Sequence, residues 1–162
     1  NNLKNCMIEL SKNFEIYVNH QINEKNYKNL ETFYKENQIK FNLFDFEESL
    51  TELIKKTDLC ITRSGASSLA ELVYLNVPFI TIPFPYAKDN HQFYNGNFYK
   101  NKNCCWLLEQ KNIKNNEIFD LIMNITSDHQ DVESKINQMQ KISYQNTWNN
   151  INKKLLGIIN EN

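Results

Sequence analysis

Two short stretches of this chain hold side chains whose types and spacing could do chemistry. The first runs from Asp58 to Glu71, where the apolar Leu59, Cys60 and Ile61 lead into Thr62, Arg63, Ser64, Gly65, Ala66, Ser67 and Ser68. A strand entering a small-residue turn and then a helix leaves free backbone N–H groups at the positive end of a helix dipole. That is an anion site. Gly65 and Ala66 would let a phosphate come close, and Ser64, Ser67 and Ser68 add hydroxyl donors. Glu71 lies one turn into the helix, where its carboxylate can accept from both vicinal hydroxyls of a ribose whose phosphates sit at the helix tip. A plainer reading stands beside this one: Ser68 and Glu71 have the spacing of a capping box.

The second stretch runs from Pro83 to Asn95. Here too a cap is available, because Asp89 and Gln92 have the right spacing and the prolines need only end a strand. Capping explains neither His91 nor Asn95. On a helix His91 and Asn95 lie at i and i+4 with Gln92 beside them. Three uncharged donor–acceptor side chains at a helix start suit a polyhydroxylated ligand such as a sugar.

The elements that must position these loops follow from periodicity. Leu3–Leu10 reads as a helix and Phe14–Val18 as a short strand. A helix over Glu24–Glu36 has Tyr27, Leu30, Phe33 and Tyr34 on one face. A strand over Ile39–Phe44 and a helix over Glu47–Lys56 come next. Leu59–Ile61 is a brief strand, Ser67–Leu75 a helix and Val77–Ile82 a strand bounded by Pro78 and Pro83. His91–Lys100 reads as helix and Cys104–Leu108 as the last strand. From Asn115 onward the pattern is helical, first through Ile118, Leu121, Ile122 and Ile125. A closing helix then carries Trp148, Ile151, Leu155, Leu156 and Ile158. Alternating strands and helices predict an α/β fold, a Rossmann-like parallel sheet with helices on both faces. In such sheets ligands bind beyond the carboxyl ends of the strands, which selects the loops 44–48, 62–68 and 83–91.

Composition narrows the classes. The 162 residues carry a net charge of −1 and a mean hydropathy of −0.61, enough for one domain. No run approaches the ~20 apolar residues of a membrane span, and a near-zero charge argues against a nucleic-acid partner. Cys6, Cys60, Cys104 and Cys105 lack C-x-x-C spacing and read as reduced core thiols of a cytoplasmic protein. No carboxylate or His/Cys cluster has metal-ligand spacing, so neither metal nor cofactor is expected. Only three glycines and a single arginine, Arg63, are present, against about eleven glycines at average usage. The surviving glycines are expected where a side chain is not tolerated.

Together, the segments Arg63–Glu71, Pro78–Pro83 and Lys88–Asn95 resemble the C-terminal domain of the MurG-type glycosyltransferases, glycosyltransferase family 28. The resemblance spans roughly Phe14 to Gln110. It implies the C-terminal half of a GT-B glycosyltransferase, an inverting enzyme that moves N-acetylglucosamine from UDP-GlcNAc to lipid I in peptidoglycan synthesis. By that resemblance Glu71 would hold the ribose hydroxyls, and Gly65, Ala66, Ser67 and Ser68 would face the diphosphate. His91, Gln92 and Asn95 would surround the sugar. Phe46 and Glu47, with Leu50 a weaker candidate, match the loop that borders uracil. His20 and Gln21 match a further short motif and receive no role.

The resemblance also implies an N-terminal truncation. The family's C-terminal half opens with a strand and a glycine-rich loop, and the acceptor site, the membrane-facing patch and the proposed base belong to an N-terminal half. Residues 1–143 would then form the UDP-sugar-binding domain, and 144–162 a helix that packs on the absent half. No catalytic residue is expected within this chain. The full-length protein would be peripheral on the inner face of the cytoplasmic membrane. Three other readings remain open at this point: another lipid-directed glycosyltransferase, a UDP-GlcNAc epimerase of the same fold, and a non-catalytic nucleotide-sugar-binding subunit.

Overall fold

The computed structural model describes residues 2–113, 116–145 and 150. The closing helix expected over 144–162, with Trp148 and Ile151–Ile158, lies outside them apart from residues 144, 145 and 150. The chain divides into two compact units, one made of Asn1–Leu50 with Ile113–Asn124, the other of Thr51–Asn112 with Ile125–Asn162.

In the first unit, α1 (Asn2–Asn13) leads to β1 (Tyr17–Gln21), α2 (Tyr27–Glu36) and β2 (Lys40–Phe44). The two strands pair in parallel, from Tyr17 opposite Lys40 to Gln21 opposite Phe44. Strand β1 starts later than the expected Phe14, because Phe14 still bonds back to the Leu10 carbonyl as a helical residue does. On α2 the buried residues are Leu30 and Tyr34, an i, i+4 pair. They close a core with Ile39 and Leu43, and Tyr34 stacks on Phe41 with ring centres 5.2 Å apart. Tyr27, expected on the same face, is exposed.

The second unit holds most of α3 (Leu50–Lys55), then β3 (Cys60–Thr62), α4 (Ala66–Leu75), β4 (Phe79–Thr81), α5 (His91–Asn101) and β5 (Trp106–Leu107). The strands order β3-β4-β5, every pairing parallel. Central β4 is buried along its whole length, as a strand covered on both faces must be. Helix α4 buries Leu69, Leu72 and Val73, the i, i+3, i+4 stripe of an amphipathic helix. It ends at Asn76 in the left-handed region, φ 58°, whose N–H reaches the Leu72 and Val73 carbonyls; Pro78 follows and prevents continuation. Two further helices close the described chain, α6 (Glu117–Ser127) and α7 (His129–Gln145). Met139 of α7 is fully buried beside Leu72, Val73 and Phe79, and the Ser143 hydroxyl donates to the Val73 carbonyl.

Among the described residues there are thus two parallel sheets rather than the one sheet the alternation predicts. Periodicity fixes which side of a strand is buried; it carries no information about which strands are neighbours. No described helix is long and apolar enough to cross a membrane.

Candidate functional site

The strand β3 ends at Thr62 and the chain turns through Arg63, Ser64 and Gly65 into α4. Gly65 is the helix N-cap, with extended φ/ψ of −66° and 134° and no side-chain cap. The first helical bond runs from the Leu69 N–H to the Gly65 carbonyl. The N–H groups of Ala66, Ser67 and Ser68 therefore lack an intrahelical acceptor, and all three residues are exposed. This also decides between the two readings of Ser68 and Glu71. Ser68 is the third residue inside the helix, so it cannot be the N-cap of a capping box.

Ser64 departs from its expected part. It is fully buried and its hydroxyl is 2.7 Å from that of Thr81 on β4, so it locks the turn to the central strand rather than offering a donor at the surface. Asn95, half-buried on α5, donates from Nδ2 to the Ser64 carbonyl at 3.1 Å. Gly96 explains how α5 comes that close. A Cβ there would stand 2.8 Å from Leu107 Cδ1, 3.1 Å from Ser64 Oγ and 3.2 Å from Thr81 Cγ2. Gly65 is the opposite case. A Cβ there would meet nothing nearer than Ser68 Oγ at 3.6 Å, and its φ suits any residue. The fold itself does not require that glycine.

Glu71 is half-buried on the same helix, four residues after Ser67, and its Oε1 accepts from the Thr51 hydroxyl at 3.1 Å. Thr51 was invisible to sequence reasoning: it lies twenty residues from its partner and belongs to no motif.

The loop after β4 passes through a 3-10 turn at Lys88–Asn90, where Asp89 and Asn90 both have left-handed φ, 52° and 53°. Neither caps α5 through its side chain. The predicted Asp89–Gln92 cap is absent, because Gln92 Oε1 instead accepts from the Phe84 N–H at 2.9 Å. His91 Nδ1 donates to the Lys88 carbonyl at 2.7 Å, which leaves Nε2 the acceptor nitrogen of the neutral ring. Both loops belong to one unit, and the structure joins them at Ser64, Thr81 and Asn95.

Phe46 and Glu47 lie in the other unit. Phe46 is 79% exposed, and Glu47 Oε1 accepts from the Ser49 N–H. That turn delays α3 to Leu50, three residues after the expected start. Gln21 supports the loop by donating from Nε2 to the Asp45 carbonyl at 3.1 Å. His20 Nδ1 pairs with the Tyr34 hydroxyl at 2.9 Å, and burial lowers the His20 pKa from its usual 6.5. Burial raises the thiols of Cys6 and Cys60 to about 11 and of Cys105 to about 12. As neutral thiols they have no nucleophilic part in the site. Among the described residues no cluster of His, Cys, Asp or Glu could hold a metal ion.

Comparison with known proteins shows the family and the fold. The profile of the glycosyltransferase family 28 C-terminal domain matches residues 2–155. A UDP-N-acetylglucosamine–N-acetylmuramyl-(pentapeptide) pyrophosphoryl-undecaprenol N-acetylglucosamine transferase of Pelagibacter ubique is 42% identical over 160 residues, 99% of this chain and 45% of that protein. Its namesake in Campylobacter fetus subsp. fetus is 40% identical over 114 residues, 70% of this chain and 34% of that protein. Among solved structures, Acinetobacter baumannii MurG superposes with a TM-score of 0.72 at 20% identity, covering 85% of this chain and 40% of that one. The glycosyltransferase VinC in complex with dTDP gives 0.62 at 11% identity, covering 85% and 32%. The chain spans less than half the length of these relatives. It belongs to the glycosyltransferase family 28 C-terminal domain family.

Proposed function

We propose that this chain is the donor-binding half of an inverting glycosyltransferase that transfers N-acetylglucosamine from UDP-GlcNAc to lipid I, forming lipid II. One observation carries the reading: α4 presents an uncapped amino end behind a glycine that the fold does not need. A diphosphate at that end explains the glycine, because a Cβ would occupy the space an approaching phosphate oxygen uses. Glu71, held from one side by Thr51, would take the ribose hydroxyls. Gln92, Asn95 and His91 would take the sugar, and Phe46 and Glu47 the base.

The chemistry follows from that placement. An acceptor hydroxyl attacks the anomeric carbon as its bond to the diphosphate oxygen breaks, inverting the centre. Charge developing on the leaving UDP falls on the N–H groups of Ala66, Ser67 and Ser68, preorganised donors that need no rearrangement at the moment of transfer. The acceptor's proton passes to a base in an N-terminal half, which also supplies the acceptor site and the contact with the inner face of the cytoplasmic membrane. A role in cell division and cell shape follows from the same reaction.

The test compares the chain alone with the chain extended upstream through an acceptor half, each given UDP-GlcNAc and a lipid I analogue. Turnover is expected only from the extended chain, because positioning two substrates supplies ~7–11 kcal/mol of such a barrier. Turnover by the 162-residue chain alone would falsify the two-half reading.

A further inference from the structure

Arg63 is the one arginine of the chain and stands beside the turn whose amides are open to an anion, yet one terminal nitrogen of its guanidinium is committed elsewhere. Its Nη1 donates to the carbonyls of Ile82 and Pro83, both at 3.3 Å, and to Gln110 Oε1 at 2.9 Å. A terminal guanidinium nitrogen has two hydrogens, so Gln110 takes one and the two longer contacts share the other. The guanidinium carbon lies 5.6 Å from the centre of the Phe84 ring, within cation–π range. Ile82 and Pro83 lead out of β4, and Gln110 follows β5 by three residues. A single side chain at the end of β3 thus ties together the carboxyl ends of all three strands in this sheet. The connection continues, because the Phe84 N–H donates to Gln92 Oε1.

We propose that Arg63 and Gln110 are a positioning pair that sets the start of the 83–91 loop and, through Phe84, the side chain of Gln92. Arg63 then governs how the sugar is held and does not serve as a ligand of the diphosphate. This rests on the donor-site reading above. Lysine should hold this arrangement less well, because it lacks the planar, weakly hydrated guanidinium that lies over a ring while its terminal nitrogen donates.

The experiment measures binding of UDP and of UDP-GlcNAc to the chain and to Arg63→Lys, Gln110→Leu and the double variant, by calorimetry or ligand-detected NMR titration. Each single variant should weaken UDP-GlcNAc about fivefold or more and leave UDP within about twofold. The double variant should be no worse than Arg63→Lys, as residues acting through one contact are not additive. Equal losses for both ligands in Arg63→Lys, with Gln110→Leu silent, would make Arg63 a diphosphate ligand and overturn the proposal. Unchanged UDP-GlcNAc affinity in both single variants overturns it too. Should Arg63→Lys not fold, Gln110→Leu decides alone, since Gln110 is exposed and leaves the turn intact. An unsubstituted chain that binds neither ligand defeats the donor-site reading itself. Binding of both by that chain, with loss of UDP affinity in Glu71→Gln, upholds the reading whatever the Arg63 variants do.

Discussion

The Thr51 hydroxyl donates to Glu71 Oε1 across 3.1 Å, joining the first turn of α3 to the second turn of α4. A carboxylate has room for about four hydrogens, so this contact orients the group without exhausting it. Two ribose hydroxyls can still be accepted.

Glu71→Gln should therefore cost UDP affinity about tenfold or more, since hydrogen bonds to a charged acceptor are worth ~1.5–3 kcal/mol. The melting temperature should hardly move, because Glu71 takes no part in capping α4. Thr51→Val should lose less, about threefold, and Thr51→Ser should restore it. Calorimetry with UDP settles the matter; an early-melting Glu71→Gln variant that binds UDP normally would return the residue to a structural role.

The two glycines of the site should separate under the same substitution. Gly96→Ala forces a methyl to within 2.8 Å of Leu107 Cδ1, an overpacking that costs ~1–3 kcal/mol and lowers the melting temperature by about 2–4 °C per kcal/mol. Gly65→Ala has open space on every side but Ser68, so it should lose only the small difference between glycine and alanine as an N-cap, less than about 1 kcal/mol, while losing UDP affinity. A Gly65→Ala chain with undiminished UDP binding would remove the diphosphate from this turn.

Asn95 and Gln92 are expected to differ as well. Asn95 holds the Ser64 carbonyl of the turn and is also assigned to the sugar, so Asn95→Ala should weaken both UDP and UDP-GlcNAc, the second more than the first. Gln92 is tied to Phe84 in the other loop, so Gln92→Ala should weaken UDP-GlcNAc selectively. The two ligands titrated side by side provide the check, and a selective loss in Asn95→Ala would show that the turn does not depend on it.

Lys135 is 5% exposed; it donates to Asn103 Oδ1 at 2.7 Å, pairs with Asp131 at 3.0 Å and lies 4.8 Å over the Trp106 ring. The Trp106 indole N–H donates to the same Asp131 carboxylate at 2.9 Å. Removing the ammonium leaves Asp131 and Asn103 without their cation, so Lys135→Ala should cost about 3 kcal/mol, read from guanidinium melts. A cost near zero would mean water replaces the ammonium without loss.

Stability should fall on both sides of neutrality. His20 has a folded pKa below its ordinary 6.5, so its contribution is present above that value and lost as the pH falls below it. Cys6, Cys60 and Cys105 are raised from 9.0 to about 11, 11 and 12. Their contribution is intact below pH 9 and lost as the pH rises toward those values. Guanidinium melts across the range test this, with Cys105→Ala flattening part of the alkaline limb.

By itself the sequence determined most of the elements and the place of the two loops. Apolar spacing placed the described strands and the first five helices to within a few residues but not the break between α6 and α7, and the small residues of 64–68 marked a helix start. What it could not determine depends on groups far apart in the chain. Ser64 and Ser67 are the same residue type in one motif, yet only packing against Thr81 buries the first hydroxyl and leaves the second exposed. Ser68 and Glu71 fit a capping pattern until backbone geometry assigned the cap to Gly65. The partners of the Arg63, Glu71 and Asn95 side chains lie between 19 and 47 residues away. Local propensity is a property of neighbours along the chain. Which acceptor meets which donor across two loops is decided only when the strands have chosen their order.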